Sequence, residues 1–413
     1  MDKMRRKVFM TAGCNTISMG TGRKEFHPKK PRPGLEEYIR EAGRGTLQAI
    51  GGGAKVDEGV IGNFMAARFN RQGNLAALMP SIDATLKGKP FVRVEGACGS
   101  GGLALTSGIK SILAGTAEVV LAIGVEVQNT VKAVYGADIL GGAGHYASQR
   151  KSGAAYFFPG KFSDRACAAY EKFGYDKVRQ GMARWYEREI LNARTCPKAQ
   201  EYHNTTEDLF AAGMTPPNPK AFCECINYYD CSKVSDGASA LVFASEEGLD
   251  RLGVDKKDAV ELVGFGQCVA DVSKDPEDQT KLTTSARAVK AAMEMAGVTN
   301  EDIGMLEVHD CFTIGGLLSM EASGFCGYGE SFDYVAEGNT APDGEIPTNL
   351  SGGLIGYGHY TGGTGVRQAA DIVMQLTGKP DGQKIDLEKD HALMISMGGN
   401  DRTVVSCVFR RIQ

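Results

Sequence analysis

Short apolar runs alternate along the chain with longer segments in which apolar residues recur every three or four positions. The runs at residues 91–95 and 119–125 are typical of buried strands, and the periodic segments at 34–49 and 103–113 are typical of helices. The other predicted strands cover residues 7–12, 305–308, 392–396 and 404–409, and the other predicted helices cover residues 75–86, 285–296, 314–324 and 364–376. This alternation predicts an α/β fold with a mostly parallel sheet and helices on both faces.

The order of elements in the first part of the chain returns in the last part, which indicates two similar halves. We assign residues 1–127 and 232–262 to the N-terminal half and residues 263–413 to the C-terminal half. Residues 128–231 are rich in aromatic side chains without a strand period, so we expect an inserted loop or lid domain there. Residues 145–200 carry eleven Lys and Arg against five Asp and Glu. This excess fits either a solvated helical face or a basic lid over a polyanionic ligand.

Composition narrows the class of protein. The 413 residues have a formal net charge of −4 and a hydrophobic fraction of 42%. These values argue for a soluble protein and against a general nucleic-acid binder. No apolar run reaches the roughly 20 residues that a membrane helix requires. We interpret the basic start of the chain as the approach to a strand and not as an export signal. Eleven scattered cysteines are too few for a disulfide scaffold, so we expect a cytoplasmic protein.

Glycines cluster around Cys98, in the sequence Val-Glu-Gly-Ala-Cys-Gly-Ser-Gly-Gly that ends at residue 102. A predicted strand runs into a tight turn there, and a helix begins at once. This arrangement is similar to a nucleophile elbow with cysteine in place of serine. A thiol at a helix N-terminus lies near unpaired N–H groups, which predicts a lowered pKa and a reactive thiolate. The alternative interpretation is a buried packing cysteine.

Three further turns carry residues suited to the same chemistry. His359 lies in a glycine-rich loop that opens a helix, a good position for a general base toward a thiol. His309 and Cys311 follow a predicted strand in the second half, at the position that Cys98 has in the first. Gly398 ends the next-to-last strand, where backbone N–H groups are available for an oxyanion hole.

Together, the four turns and their His-Asp-Cys-Phe sequence at 309–312 make the chain resemble the thiolase superfamily, in its sterol-carrier-protein-2 thiolase branch. The resemblance covers essentially the whole chain, including the Ser-Asp-Gly-Ala-Ser-Ala sequence at 235–240. It implies the thiolase fold, with two α/β halves in a five-layered αβαβα core plus a loop domain. It also implies a reaction between 3-oxoacyl-CoA and CoA, with CoA as a substrate and no tightly bound cofactor or metal.

The resemblance assigns a role to each candidate residue. Cys98 matches the acylated nucleophile, and His359 matches the histidine that activates it. Cys311 matches the second, acid/base cysteine. The N–H groups of Cys98 and Gly398 match one oxyanion hole, and His309 with His359 matches the other. Ser396 stands where the family usually has a cysteine, which fits a branch in which Cys311 carries the proton.

The sequence gives a less specific indication of the substrate and the partners. Tyr360 departs from the family pattern beside His359, and with Tyr146 and Phe158 it suggests a bulky or aromatic acyl group such as benzoylsuccinyl-CoA. The resemblance implies a homodimer, and some members of the branch work with a small OB-fold and zinc-ribbon subunit. Two alternatives stay open: a decarboxylating or hydroxymethylglutaryl-type condensing synthase, and a catalytically silent scaffold. Cys196, His203, Cys223, Cys225 and Cys231 match no standard zinc spacing.

Overall fold

The computed structural model describes Met4, residues 6–149 and residues 155–412. The strands are β1 Val8–Asn15, β2 Glu58–Gly62, β3 Phe91–Val94, β4 Val119–Glu126, β5 Gly237–Ala244, β6 Val260–Val269, β7 Ile303–Glu307, β8 His391–Gly398 and β9 Thr403–Arg411. The helices are α1 Leu35–Ala49, α2 Ala66–Phe69, α3 Ser100–Ala114, α4 Ala133–Leu140, α5 Phe157–Phe173, α6 Tyr175–Ala193, α7 Leu209–Gly213, α8 Glu246–Leu252, α9 Thr283–Ala296, α10 Thr313–Ala322, α11 Ser331–Ala336, α12 Gly353–Gly356 and α13 Thr364–Leu376. None of the helices in the described part of the chain combines the length and apolar character that crossing a membrane requires.

The strands form one hydrogen-bonded sheet in the order β3-β2-β4-β5-β1-β6-β9-β8-β7. Each half repeats the same pattern, since β1, β5, β4 and β2 occupy the places that β6, β9, β8 and β7 occupy in the other half. The halves join where β1 pairs antiparallel with β6 at residues 8–10 and 260–262. Pairs β2–β4 and β7–β8 are parallel, whereas β4–β5 and β8–β9 are antiparallel. The strand order therefore confirms that the fold is built from two similar halves.

The helices form layers on both sides of the sheet, as the resemblance implies. Helices α3 and α13 pack against each other between the two halves of the sheet, because α3 contacts β2 and β4 on one side and β8 and β9 on the other. Helices α1 and α8 cover the outer face of the N-terminal half, and α9 covers the outer face of the C-terminal half together with α10. All eight residues of β4 and of β5 are buried, as strands covered on both faces must be.

The inserted region is mainly helical, from α4 to α7. Most of its described Lys and Arg side chains stabilise the fold. Arg179 forms a fully buried ion pair with Asp230. The Arg165 guanidinium donates to the Asn400 side chain and to the backbone carbonyls of residues 279 and 281. Arg150 and Lys151, which contribute to the basic excess, lie outside the described residues. The positive charge of this region is therefore mostly explained by internal ion pairs and hydrogen bonds.

Three features differ from the sequence-based expectation. The sheet is mixed and not mostly parallel, since five of the eight strand pairs in the described part of the chain are antiparallel. Strands β5 and β9 each run antiparallel to both of their neighbours, and β1 runs antiparallel to β6 where the halves join. Residues 75–86 form two short 3₁₀ turns, Leu75–Ser81 and Ala84–Leu86, instead of one α-helix. Pro80 lies inside the segment, where it lacks the N–H that an α-helix uses and disfavours a helical residue before it. A disulfide joins Cys167 in α5 to Cys225, although the other nine cysteines are free.

Candidate active site

Cys98 lies in the turn between β3 and α3, two residues before the helix begins at Ser100. The turn is held by local hydrogen bonds: the Ser100 hydroxyl donates to the Ala97 carbonyl at 2.6 Å and accepts from the Gly96 N–H at 3.0 Å. Ala97 has a φ of +54°, a left-handed conformation that is uncommon for a residue with a side chain. This strained residue directly precedes the thiol, as expected for a turn that places a reactive group at the start of a helix.

The thiol environment corrects one expectation. Burial, with a smaller contribution from the nearby carboxylate of Glu126, raises the pKa of Cys98 to about 12. The N–H groups of Cys98 itself and of Gly399 lower the pKa, but by less than burial raises it. The helix N-terminus therefore stabilises a thiolate only partly, and the thiol form of Cys98 is favoured.

His359 is buried beside Cys98, in the loop before α13. Its Nδ1 lies 2.8 Å from the Thr364 Oγ1, and the Thr364 hydroxyl donates to the Tyr360 carbonyl. Because that hydroxyl has given its proton to the carbonyl, it accepts from Nδ1–H, which leaves Nε2 as the basic nitrogen. Nε2 is buried and has no hydrogen-bond partner among the described residues. Burial, with a smaller contribution from Arg367, lowers the pKa of His359 to about 3, so the imidazole is neutral.

The second half contributes His309 and Cys311, which follow β7. The His309 ring meets the His359 ring edge-on, with centroids 5.1 Å apart. One ligand atom from each of Cys98, His309 and His359 lies within 4.8 Å of the other two. Burial holds the pKa of His309 well below its usual range and the pKa of Cys311 well above it. The site thus contains two neutral imidazoles and two protonated thiols.

A cavity of about 150 Å³ opens over these groups, and Cys98, Cys311 and His359 are part of its wall. The rest of the wall is mainly apolar, with aromatic side chains from Tyr156, Phe158 and Phe312. The remaining wall residues are Gln128, Ala133, Ala137, Leu140, Pro159, Cys231, Ser232, Lys233, Val234 and Thr361. Lys233 is the single cation among these wall residues, and it pairs with Glu201. The site is therefore suited to an apolar group presented to a thiol.

The candidate substrate-contacting residues have different positions. Phe158 is in the cavity wall. Tyr360 is fully buried outside it, where its hydroxyl lies 2.8 Å from the Ser239 hydroxyl and its ring packs near Tyr357. Tyr146 is 81% exposed and contacts His145. We therefore remove Tyr146 and Tyr360 from the residues expected to touch substrate, because neither side chain is directed into the cavity.

Ser396 and Gly398 occupy the end of β8. The Ser396 hydroxyl is buried without a partner among the described residues, behind the turn that carries Cys98. Gly398 packs against that turn so closely that an added Cβ would lie 2.1 Å from the Gly96 carbonyl oxygen. Only glycine fits there. This contact brings the N–H of the next residue, Gly399, to the Cys98 thiol.

Glu126 was not identified from the sequence, although it ends an otherwise apolar strand. Its buried carboxylate accepts hydrogen bonds from the Phe64, Met65 and Gly362 N–H groups, the Asn63 amide and the Thr361 hydroxyl, at 2.8–3.1 Å. It therefore ties the loop after His359 to the N-terminal half. Burial raises its pKa to about 7.

Gln128 and Ser235 also hold the histidine loop. The Gln128 amide donates to the His359 carbonyl at 2.9 Å, and the Ser235 hydroxyl accepts from the His359 N–H at 2.8 Å. Both contacts fix the backbone of His359 from outside the C-terminal half, Gln128 at the start of the inserted region and Ser235 just after its end. The position of the imidazole therefore depends on both halves.

Comparison with known proteins agrees with this geometry. The family model described as "Thiolase, N-terminal domain" matches residues 36–157, and "Thiolase C-terminal domain-like" matches residues 268–411. An acetyl-CoA acetyltransferase of Methanothermobacter thermautotrophicus is 32% identical over 379 residues, which are 91% of this chain and 94% of the relative. The benzoylsuccinyl-CoA thiolase subunit BbsB of Thauera aromatica is 26% identical over 76% of this chain and 77% of its own length.

Among solved structures, a similar one is described as an "Ltp2-ChsH2(DUF35) aldolase". It has a TM-score of 0.76 at 20% sequence identity and covers 99% of this chain and 98% of its own. At this identity the similarity concerns the fold alone.

Proposed function

The chain belongs to the thiolase family of acyltransferases, and we propose that it exchanges 3-oxoacyl-CoA and CoA with two acyl-CoA molecules through an acyl intermediate on Cys98. The observation that carries the proposal is that the ligand atoms of Cys98, His309 and His359 lie within 4.8 Å of one another, while Cys98, His359 and Cys311 share one cavity wall. A nucleophile, its base and a second proton carrier thus face one space, as covalent acyl transfer requires.

In the first half-reaction, the Cys98 sulfur attacks the 3-keto carbon while His359 Nε2 takes the thiol proton. The buried Cys98 favours the thiol over the thiolate, so proton removal accompanies attack. Negative charge then develops on the keto oxygen, where the backbone N–H groups of Cys98 and Gly398 are our candidates for stabilising it. Collapse of this intermediate breaks the C2–C3 bond and leaves the acyl group on Cys98.

Counting protons gives Cys311 the role of proton carrier between the two half-reactions. The carbanion left by C–C cleavage takes the Cys311 proton and departs as the shorter acyl-CoA. The Cys311 thiolate then takes the proton of the incoming CoA thiol, whose sulfur attacks the acyl group. Cys98 leaves as a thiolate and regains its proton from His359. His309, together with His359, is our candidate for holding the thioester oxygen of the leaving carbanion.

We propose a bulky, uncharged acyl group as the substrate. The aromatic side chains of Tyr156, Phe158 and Phe312 and the pairing of Lys233 with Glu201 support this class. Benzoylsuccinyl-CoA, suggested by the Thauera relative, satisfies the aromatic part but brings a free carboxylate that has no unpaired cation among the described wall residues. We therefore include it in the substrate screen as the charged member of the set.

The experiment combines acyl trapping with a thiolysis screen. Wild-type protein incubated with a radiolabelled 3-oxoacyl-CoA is expected to retain label after denaturation, and Cys98→Ser is expected to lose it while keeping its fold. Cys326→Ser, which removes a half-buried thiol outside the site, is the matched control. Label retained by Cys98→Ser at the wild-type level would refute the assignment. Fold retention with no trapping in the wild type would favour the scaffold alternative.

We also propose a homodimer that works with a small OB-fold and zinc-ribbon subunit. Strand β3 is the outer strand of its half, and Val92 on it is half-exposed, which leaves an edge available for a second copy. The DUF35 component in the description of the similar solved structure supports the accessory subunit. Light scattering of the purified chain tests the dimer, and co-purification followed by a thiolysis assay with and without the small subunit tests the second partner.

A further inference from the structure

The three groups that converge in the active site also form a set of metal ligands. Cys98 offers Sγ, and His309 and His359 each offer a ring nitrogen, with all three atoms within 4.8 Å of one another. His309 Nδ1 and His359 Nε2 are buried and have no hydrogen-bond partner among the described residues. Buried ring nitrogens normally find a partner, so two such nitrogens beside one thiol indicate an incomplete polar site.

The composition of this set suits a borderline divalent ion, and zinc is the ion we choose to argue. One cysteine and two histidines with a fourth position open to a cavity match the ligand number of zinc sites that keep an exchangeable position. The cavity wall includes Cys98 and His359, so an ion from solvent has access. Thr364 accepts from His359 Nδ1–H at 2.8 Å, which is the outer hydrogen bond that orients a metal-bound histidine.

Only a small movement would bring the three ligand atoms to the distances found in zinc sites. With Zn–N near 2.0–2.1 Å and Zn–S near 2.3 Å, tetrahedral geometry places ligand atoms about 3.3–3.6 Å apart. The upper limit of 4.8 Å here is therefore longer by about 1.2–1.5 Å. Rotation about the Cα–Cβ and Cβ–Cγ bonds of the two histidines is the movement that would bring the ring nitrogens to those distances.

We propose that Cys98, His309 and His359 bind Zn²⁺, and that the ion reversibly inhibits the enzyme by occupying the nucleophile. Binding replaces the Cys98 S–H proton, which is released to solvent, with a sulfur–metal bond. Neither oxidation nor reduction is involved. The binding part stands on geometry alone, whereas the inhibition part rests on the proposed function of Cys98. The ion is an inhibitor and not a resident cofactor, since it holds the group that must attack substrate.

The test uses Co²⁺ as a spectroscopic probe on the reduced full chain. We expect one Co²⁺ per chain with a thiolate-to-cobalt charge-transfer band, and Zn²⁺ should displace it. Cys98→Ser should abolish the band, His359→Ala and His309→Ala should weaken binding at least tenfold, and Cys326→Ser should leave it unchanged. Thr364→Val should weaken binding about 10- to 100-fold through the lost outer hydrogen bond. Circular dichroism on each variant establishes that it is folded.

Iodoacetamide labelling and thiolysis assays complete the test. Stoichiometric Zn²⁺ should protect Cys98 from alkylation and stop thiolysis, and a chelator should restore both. Absence of a thiolate band in the wild type, or its survival in Cys98→Ser, would overturn the site. A thiolate band with protection from alkylation but undiminished thiolysis would support the site and refute Cys98 as the nucleophile, so the two proposals fail separately.

Discussion

Replacing Thr364 by valine tests whether the orientation of His359 is part of catalysis. Valine has nearly the shape of threonine but lacks the hydroxyl that lies 2.8 Å from His359 Nδ1. Thr364 is not among the wall residues of the described cavity, so substrate contacts are unchanged. The backbone N–H of residue 364 still donates to the Tyr360 carbonyl, and α13 is expected to begin normally. The substitution removes one hydrogen bond from the buried imidazole and one from the Tyr360 carbonyl, which keeps the backbone N–H groups of residues 363 and 364 as donors.

The magnitude follows from the burial of that nitrogen. Leaving a buried donor unsatisfied costs about 1–3 kcal/mol, which the ring can avoid by moving its proton to Nε2. In either case the form with a free basic Nε2 is disfavoured by about 1–3 kcal/mol, or about 5- to 150-fold. Complete removal of a general base typically costs about 10²- to 10⁴-fold. We therefore expect Thr364→Val to lie between the wild type and His359→Ala.

Single-turnover acylation of Cys98 and steady-state thiolysis measure the effect. We expect kcat to fall by the factor above with little change in KM, and Thr364→Ser, which keeps the hydroxyl, to stay within about threefold of the wild type by the same hydrogen-bond reasoning. Acylation of Thr364→Val within twofold of the wild-type rate would refute the argument. An equal loss in Thr364→Ser would show that the methyl group and its packing matter instead of the hydroxyl.

Three further predictions concern the thiols. Cys311→Ala should block C–C cleavage while sparing acyl transfer to Cys98 from a simple thioester, whereas Ser396→Ala should be mild; the reverse result in single-turnover assays would move the proton carrier away from Cys311. The rate of Cys98 alkylation by iodoacetamide should rise about tenfold per pH unit from pH 7 to 10. The reason is that the pKa of Cys98 is raised to about 12, so the thiolate fraction grows throughout that range. A plateau of the rate above about pH 9.5, where an ordinary thiol is ionised, would contradict the burial argument. Cys225→Ser should lower the free energy of unfolding by up to about 4 kcal/mol, because it removes a disulfide that closes a loop of 58 residues. Urea unfolding of the wild type and the variant, with and without reductant, measures this loss. Identical unfolding curves for the two proteins would contradict the prediction.

The site was more predictable from the sequence than its surroundings were. Cys98, His309, Cys311 and His359 each follow a strand or precede a helix within a glycine-rich or polar turn, and strand ends meet at one edge of a sheet. This placement at strand ends and helix starts can be recognised from the sequence alone. Glu126 and Gln128 were missed because their signal is tertiary: a single polar residue at the end of an apolar strand has many ordinary explanations until its partners are known.

The errors have a common physical cause, which is that neighbours in sequence do not share an environment. Tyr360 is adjacent to His359, but successive side chains in this loop diverge, and the tyrosine reaches Ser239 in the core. The same limit applies to Cys167 and Cys225, since spacing alone cannot pair distant cysteines. For Cys98, the helix N-terminus was visible in sequence, whereas the burial that outweighs it depends on residues from both halves of the chain.

The contact between α3 and α13 explains why the two halves are needed for one site. Cys98 lies just before α3 and His359 lies five residues before α13, so the distance between the helix starts sets the distance between nucleophile and base. At the contact, a Cβ on Gly101 would lie 2.6 Å from the Gly365 nitrogen, and one on Gly365 would lie 2.3 Å from the Gly102 nitrogen. The backbones touch because neither helix has a side chain there. Glycine is the residue that lets two backbones approach this closely, because it has no Cβ. Its presence on both helices at this one crossing is therefore explained by the close approach that brings a thiol from one half to an imidazole from the other.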